Sequence, residues 1–209
     1  MTSKSLFSFT ALATASLLAM GCGDDDPVAV DDTGVVTATL VDSPDTPSSS
    51  NGVVDARRFD QVQAAFDGTF RGTTLVEIYS PADEQWFAVT GTSTTQLALG
   101  SSDWAELGSS SMIEAGSYTR VRLTITGGEA VIEAGATLGG VQIGADVTLA
   151  LGGSQDVVIE KDVAFTVQAN AATDLVIDLN SEMWVTEENV DEEEVTEDEM
   201  EEAARVDAN

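Results

Sequence analysis

Alternation of apolar and polar side chains dominates the chain from about Gly34 to Val185, in short runs broken by Gly, Ser, Asp and Pro. Such period-two runs with turn residues between them predict strands. Residues 35–41 place Val36, Ala38 and Leu40 on one face and Thr37 and Thr39 on the other. The stretch 42–52, DSPDTPSSSNG, predicts an exposed loop. Val62, Ala64 and Phe66 alternate in the next segment, with Gly68 as a break or bulge before Phe70. TLVEIYS (74–80) sets Val76 and Ile78 against Leu75, Glu77 and Tyr79, and Pro81 to Glu84 form a hairpin connection into QWFAVT (85–90). Leu97 and Leu99 lead into a segment where Asp103 is expected to cap a helical turn that packs Trp104 and Leu107 inward.

The clearest strand is SYTRVRLTIT (117–126), in which Tyr118, Arg120, Arg122 and Thr124 alternate with Thr119, Val121, Leu123 and Ile125. Gly127 and Gly128 are expected to end it. Further runs fall at 129–133, 141–143, 147–151, 156–160, 163–168 and 174–180. Many short strands without helical patterns between them predict an all-β fold, an antiparallel β-sandwich of Greek-key type, immunoglobulin- or transthyretin-like. About 150 residues suffice to bury roughly 70% of the unfolded surface in one core. The Gly-rich stretch from Ile132 to Gly153 superficially suggests a hexapeptide β-helix. Stepping by six from Ile132 meets Leu138, Gly144, Ala150 and Asp156, and a solenoid needs self-similar repeats, so that fold is rejected.

The longest apolar run, Leu6 to Met20, lies outside this pattern. It follows Lys4, is too short to span a bilayer, and has the charged, apolar, small-residue layout of a secretory signal helix. It ends at Ala19-Met20-Gly21-Cys22, and Cys22 is the single cysteine. The run resembles a bacterial lipoprotein signal with cleavage between Gly21 and Cys22 and lipidation of the Cys22 thiol. An ordinary secretory signal with a cysteine nearby is the alternative. One acyl chain holds a protein only marginally, so two or three are needed for a stable anchor. Residues 1–21 are thus read as signal peptide and 22–33 as lipidated cysteine plus acidic tether, ~35–40 Å long when extended. Residues 34–185 form the β domain and 186–209 an acidic tail. Gly23 lacks the aspartate-type signal for inner-membrane retention, which favours the outer membrane of the cell envelope.

Charge narrows the partners. The chain carries a formal charge of −29, and removal of residues 1–21 deletes Lys4 and makes it −29 − 1 = −30. A surface of that sign repels nucleic acid and anionic lipid, so the membrane hold would come from the lipid. Charged partners are expected to be cationic, although an acid-rich surface also suits a saline habitat. With no His and one Cys, the usual general base, the commonest zinc ligand and any intrachain disulfide are absent. Asp24, Asp25, Asp26, Asp31, Asp32, Asp42 and Asp45 supply hard oxygens suited to Ca²⁺, but no EF-hand spacing. Only weak Ca²⁺ binding is expected, with no catalytic residue and no cofactor.

The tail segment 187–202 holds eleven carboxylates in sixteen positions. Thr196 and Glu199 have capping-box spacing, and Glu201 and Arg205 stand one helical turn apart. Against them, Glu188–Glu192, Glu193–Glu197, Glu194–Asp198, Glu197–Glu201 and Asp198–Glu202 repel at that spacing, each costing ~0.2–0.5 kcal/mol. A partly helical or disordered tail is expected, gaining helix on acidification or cation binding.

Three phrases carry a family resemblance. TATLVDSP (37–44), AGSYTRVRLTI (115–125) and LVIDLN (175–180, with Asp178) resemble strands of the DUF4382 family of bacterial lipoprotein domains. The likeness covers roughly 34–185 and departs at QAAFDGTF and at 134–153. It implies an extracytoplasmic β-sandwich and no established activity. The expected function is therefore a lipid-anchored envelope protein with a non-enzymatic binding, adhesion or structural role toward an envelope protein or glycan. A Ca²⁺-responsive module is the alternative, and a glycan hydrolase using carboxylates such as Asp83 and Glu84 is a lesser one. Arg120 and Arg122 are expected to pair with acidic residues across the sheet. Trp86, Trp104 and Trp184 are read as core or rim packing rather than a sugar platform.

Overall fold

The computed structural model describes residues 32–43, 66–101, 103–138 and 141–209. The signal segment, Gly21, Cys22, the tether through Asp31, Asp45, and Val62 and Ala64 lie outside them. The described residues are mostly strand, as the alternation predicts, but the sheets are mixed rather than purely antiparallel. No helix among them is long and apolar enough to cross a membrane.

One sheet has four strands. β1 (Thr33–Val41) lies between two later ones, β5 (Trp104–Glu114) and β11 (Ala172–Asp178), and β13 (Arg205–Ala208) closes the far side of β11. β5 and β13 run antiparallel to their neighbours, whereas β1 and β11 are parallel from Val35↔Ala172 to Val41↔Asp178. A parallel pair needs a long crossover, here supplied by the chain between them, and alternation within one strand carries no trace of it.

The larger sheet is built on β2 (Gly68–Ser80) and β6 (Gly116–Ile132). β2 also pairs with β3 (Gln85–Ala88) and β4 (Ser93–Leu99). β6 pairs on its other edge with β9 (Val147–Leu151) and β10 (Val157–Val167). Val76 and Ile78 are buried and the turn 81–84 joins β2 to β3, as expected. Gly127 and Gly128 do not end β6. Three β6 steps from Thr126 to Glu129 face two on β2, a bulge in which Gly127 takes φ 59. A Cβ on Gly128 would come within 2.8 Å of Ile125, so only glycine lets the strand continue there. The runs 156–160 and 163–168 likewise form one strand, irregular between Asp162 and Phe165. β7 (Thr137–Leu138) and β8 (Val141–Gln142) make a small separate hairpin.

Three local expectations fail. Asp103 caps no helix; Trp104 opens β5 and is 65% exposed, because the segment pairs with β1. Gly68 starts β2 rather than interrupting a strand. Asp42 and Ser43, the first residues of the supposed exposed loop, are buried.

The acidic C-terminal segment is part of the domain rather than a tail. α1 (Glu187–Glu192) and α2 (Glu197–Ala203) flank β12 (Glu194–Val195), which pairs parallel with β9. Val195, Met200, Ala203 and Ala204 join the same core as Leu149, Leu175 and Trp184. Two facts outweigh the repulsion. Glu193 takes φ 56 and ends α1, so Glu193–Glu197 and Glu194–Asp198 never share a helix. Burial of the apolar positions adds what an isolated helix lacks. Thr196 and Glu199 do form a capping box. Burial would raise the Glu199 carboxyl, but hydrogen bonds from Thr196 and Asn189 outweigh it and lower its pKa. Acid thus weakens this cap even as it relieves repulsion. Lys161 donates to the Glu201 carbonyl and fastens α2 to β10. Arg205 stands in β13 opposite Asp178, not one helical turn after Glu201.

Candidate functional site

The ends of β1 and β11 bring together chemistry that the sequence keeps far apart. Asp42, just past β1, is 2% exposed. Its Oδ1 accepts the Ser181 N–H at 2.7 Å, and its Oδ2 accepts the Ser181 hydroxyl and the Gly100 N–H. One carboxylate therefore holds the β4–β5 connection, the end of β1 and the 3₁₀ turn Ser181–Met183 that follows β11.

Asp178 lies beside it. Its Oδ1 accepts the Ser43 and Asn180 N–H groups, each at 3.0 Å. Burial pushes the Asp178 pKa up from the ordinary 3.8 to about 6; the Asp42 charge adds to the rise, while the two N–H donors and Arg205 oppose it. The native state thus holds a proton that the unfolded chain has lost between those values. Its charge costs stability above about pH 6, on the order of 3 kcal/mol for a pKa moved from 3.8 to about 6, and that cost fades as pH falls toward ~4. Asp178→Asn keeps an oxygen for both donors and removes the charge. We expect urea midpoints to show it more stable than wild type by about 1–3 kcal/mol near pH 7.5, with the difference gone near pH 4. Parallel pH profiles of the two proteins would contradict the assignment.

Register places Trp104, Val41, Asp178 and Arg205 in one cross-strand row over β5, β1, β11 and β13. Two residues along, the next row on the same face runs Glu106, Thr39, Val176 and Asp207. Beside the Trp104 end opens a cleft of about 400 Å³ lined by Gln96, Leu97, Ala98, Asp103 and Trp104. Gly100, gripped by Asp42, lies in the connection between its two walls. The lining offers an indole, an amide and one carboxylate, Asp103, in an open groove, which is recognition chemistry.

The three tryptophans do not gather. Trp184 is fully buried, its indole donating to the Leu179 carbonyl at 3.0 Å. Trp86 is half-buried against the arginines: Arg122 lies 4.2 Å over its ring and Arg120 lies 4.0 Å over Tyr79. Those arginines also pair across the sheet, Arg122 with Glu77 at 2.7 Å and Arg120 with Glu160. Asp83 accepts the Ser80 hydroxyl at 2.6 Å within the β2–β3 turn, and Glu84 holds a left-handed φ of 54 there. Of the proposed Ca²⁺ ligands, Asp32 and Asp42 are described. Among the described residues no three His, Cys, Asp or Glu side chains gather as a metal site. The Asp42 clamp escaped sequence reasoning because its partner Ser181 is 139 residues away; the Asp at each strand end was the only signal. Compared with protein families, curated proteins and solved structures, the chain matches none.

Proposed function

We propose that this chain is a lipid-anchored protein of the cell envelope, held in the outer membrane through Cys22, whose β domain binds a partner without catalysing a reaction. The observation that carries the reading is the sequence Ala19-Met20-Gly21-Cys22 closing the apolar run, followed by an acidic spacer. We read the two sheets, which share one hydrophobic core, as the layers of a sandwich. The DUF4382 resemblance is part of this reading; of its phrases, residues 37–41 and 175–178 lie on the paired strands β1 and β11. A binding role is favoured over hydrolysis because Asp42 is taken up in structural hydrogen bonds and Arg120 and Arg122 are already paired.

Metabolic fatty-acid labelling tests the anchor. Wild type should incorporate label and partition with membranes, while Cys22→Ser should do neither. Equal labelling of the two proteins refutes the reading.

A further inference from the structure

The groove beside Trp104 separates two sheet edges. Among the described residues, β4 pairs with β2 alone and β5 with β1 alone. Three consecutive β4 residues, Gln96, Leu97 and Ala98, line it. Side chains of consecutive strand residues point to opposite faces, so what borders the groove is the edge of β4, its backbone included. The facing wall is Asp103 and the exposed indole of Trp104.

We propose that this groove takes an extended, lysine- or arginine-bearing segment of another protein, which adds a strand to the edge of β4 that no described residue pairs with and packs against Trp104. A strand edge presents N–H and C=O groups at a spacing that a polypeptide matches residue by residue, and a sugar does not. The charge selects a cation: Asp103 is in the wall, Glu106 is next along the exposed face of β5, and the whole chain is at −29. Opposite charge speeds encounter and fixes register. An exposed tryptophan suits the anchor position, because it offers a large apolar area and a face that attracts Lys and Arg.

This inference rests on reading the domain as a binding module, and it can fail while the Cys22 labelling result stands. The test is fluorescence anisotropy of the full chain in mild detergent with a labelled alternating Lys–Val peptide. Binding is expected, weakening as salt rises from about 50 to about 500 mM. The same peptide N-methylated at alternate amides should bind at least ~10-fold more weakly, since it cannot pair with an edge. Trp104→Ala should also lose at least ~10-fold, and Asp103→Asn about threefold, with thermal melts confirming that both fold. Met112→Ser, exposed at the opposite end of β5 from Trp104, should bind as wild type does. Equal binding of the N-methylated peptide, equal binding by Trp104→Ala, or binding of an alternating Glu–Val peptide overturns the proposal. So does binding of a chitin oligosaccharide in place of the Lys–Val peptide.

Discussion

A chain ended at Val185 is expected to lose its cooperative thermal transition. The deleted segment removes Val195, Met200, Ala203 and Ala204 from the core and uncovers Trp184, which is fully buried in the intact domain. Val195 and Met200 are worth ~1.5–3 kcal/mol each, and opening a space against Trp184 adds a cavity term. The loss of β13 from β11 and of β12 from β9 then leaves two ladders unpartnered. Together these losses approach the whole ~5–15 kcal/mol of a typical domain. Electrostatics argues the other way, since residues 186–209 carry twelve carboxylates and one arginine, −12 + 1 = −11, and their removal relieves self-repulsion. Circular dichroism melting and limited proteolysis of the shortened chain separate the two effects. A transition at or above that of the intact chain would mean that charge outweighs packing and that the segment is an appendage.

Asp42→Ala is expected to be the most damaging single change at the strand ends, costing about 3–5 kcal/mol. The substitution leaves the Ser181 and Gly100 N–H groups and the Ser181 hydroxyl without their acceptor, and hydrogen bonds to a charged group are worth ~1.5–3 kcal/mol each before such buried donors are counted. Relief of the neighbouring Asp178 offsets part of this, because one of the causes raising its pKa is the Asp42 charge. Asp42→Asn should fall between the two. It keeps an oxygen for the Ser181 N–H, but its amide group would face the Gly100 N–H as donor to donor. Urea unfolding gives the loss, and hydrogen exchange at Gly100 and Ser181 locates it. A loss under about 1 kcal/mol in Asp42→Ala, with unchanged protection at both amides, would rule out the clamp.

Much of the strand content is legible in the sequence because alternation is a local property. Val76 and Ile78, the turn after Ser80, the arginine pairs on β6 and the Thr196–Glu199 cap all follow from spacing alone. What escapes is decided by residues far away in the chain. Asp103 has the chemistry of a helix cap, yet pairing with β1 takes the following residues into a strand. The charge spacing in 187–202 describes an isolated helix correctly, but the chain breaks at Glu193 and buries Val195 and Met200. Of the site, the two strand-end aspartates were visible singly. Their approach depends on the parallel pairing of β1 with β11, and the groove depends on two edges that only the folded sheets define.

The position of β1 bears on mechanics. The chain that leads from Cys22 enters the domain at Thr33 and runs directly into a strand held on both sides, by β5 and by β11. Cross-strand hydrogen bonds lie across the strand direction in the antiparallel ladder and slant only moderately in the parallel one. Were Cys22 the anchor proposed above, a pull arriving at Thr33 would load both ladders in shear, many bonds at once, instead of peeling them one by one. A domain displayed from a surface under flow would meet traction at its most resistant point.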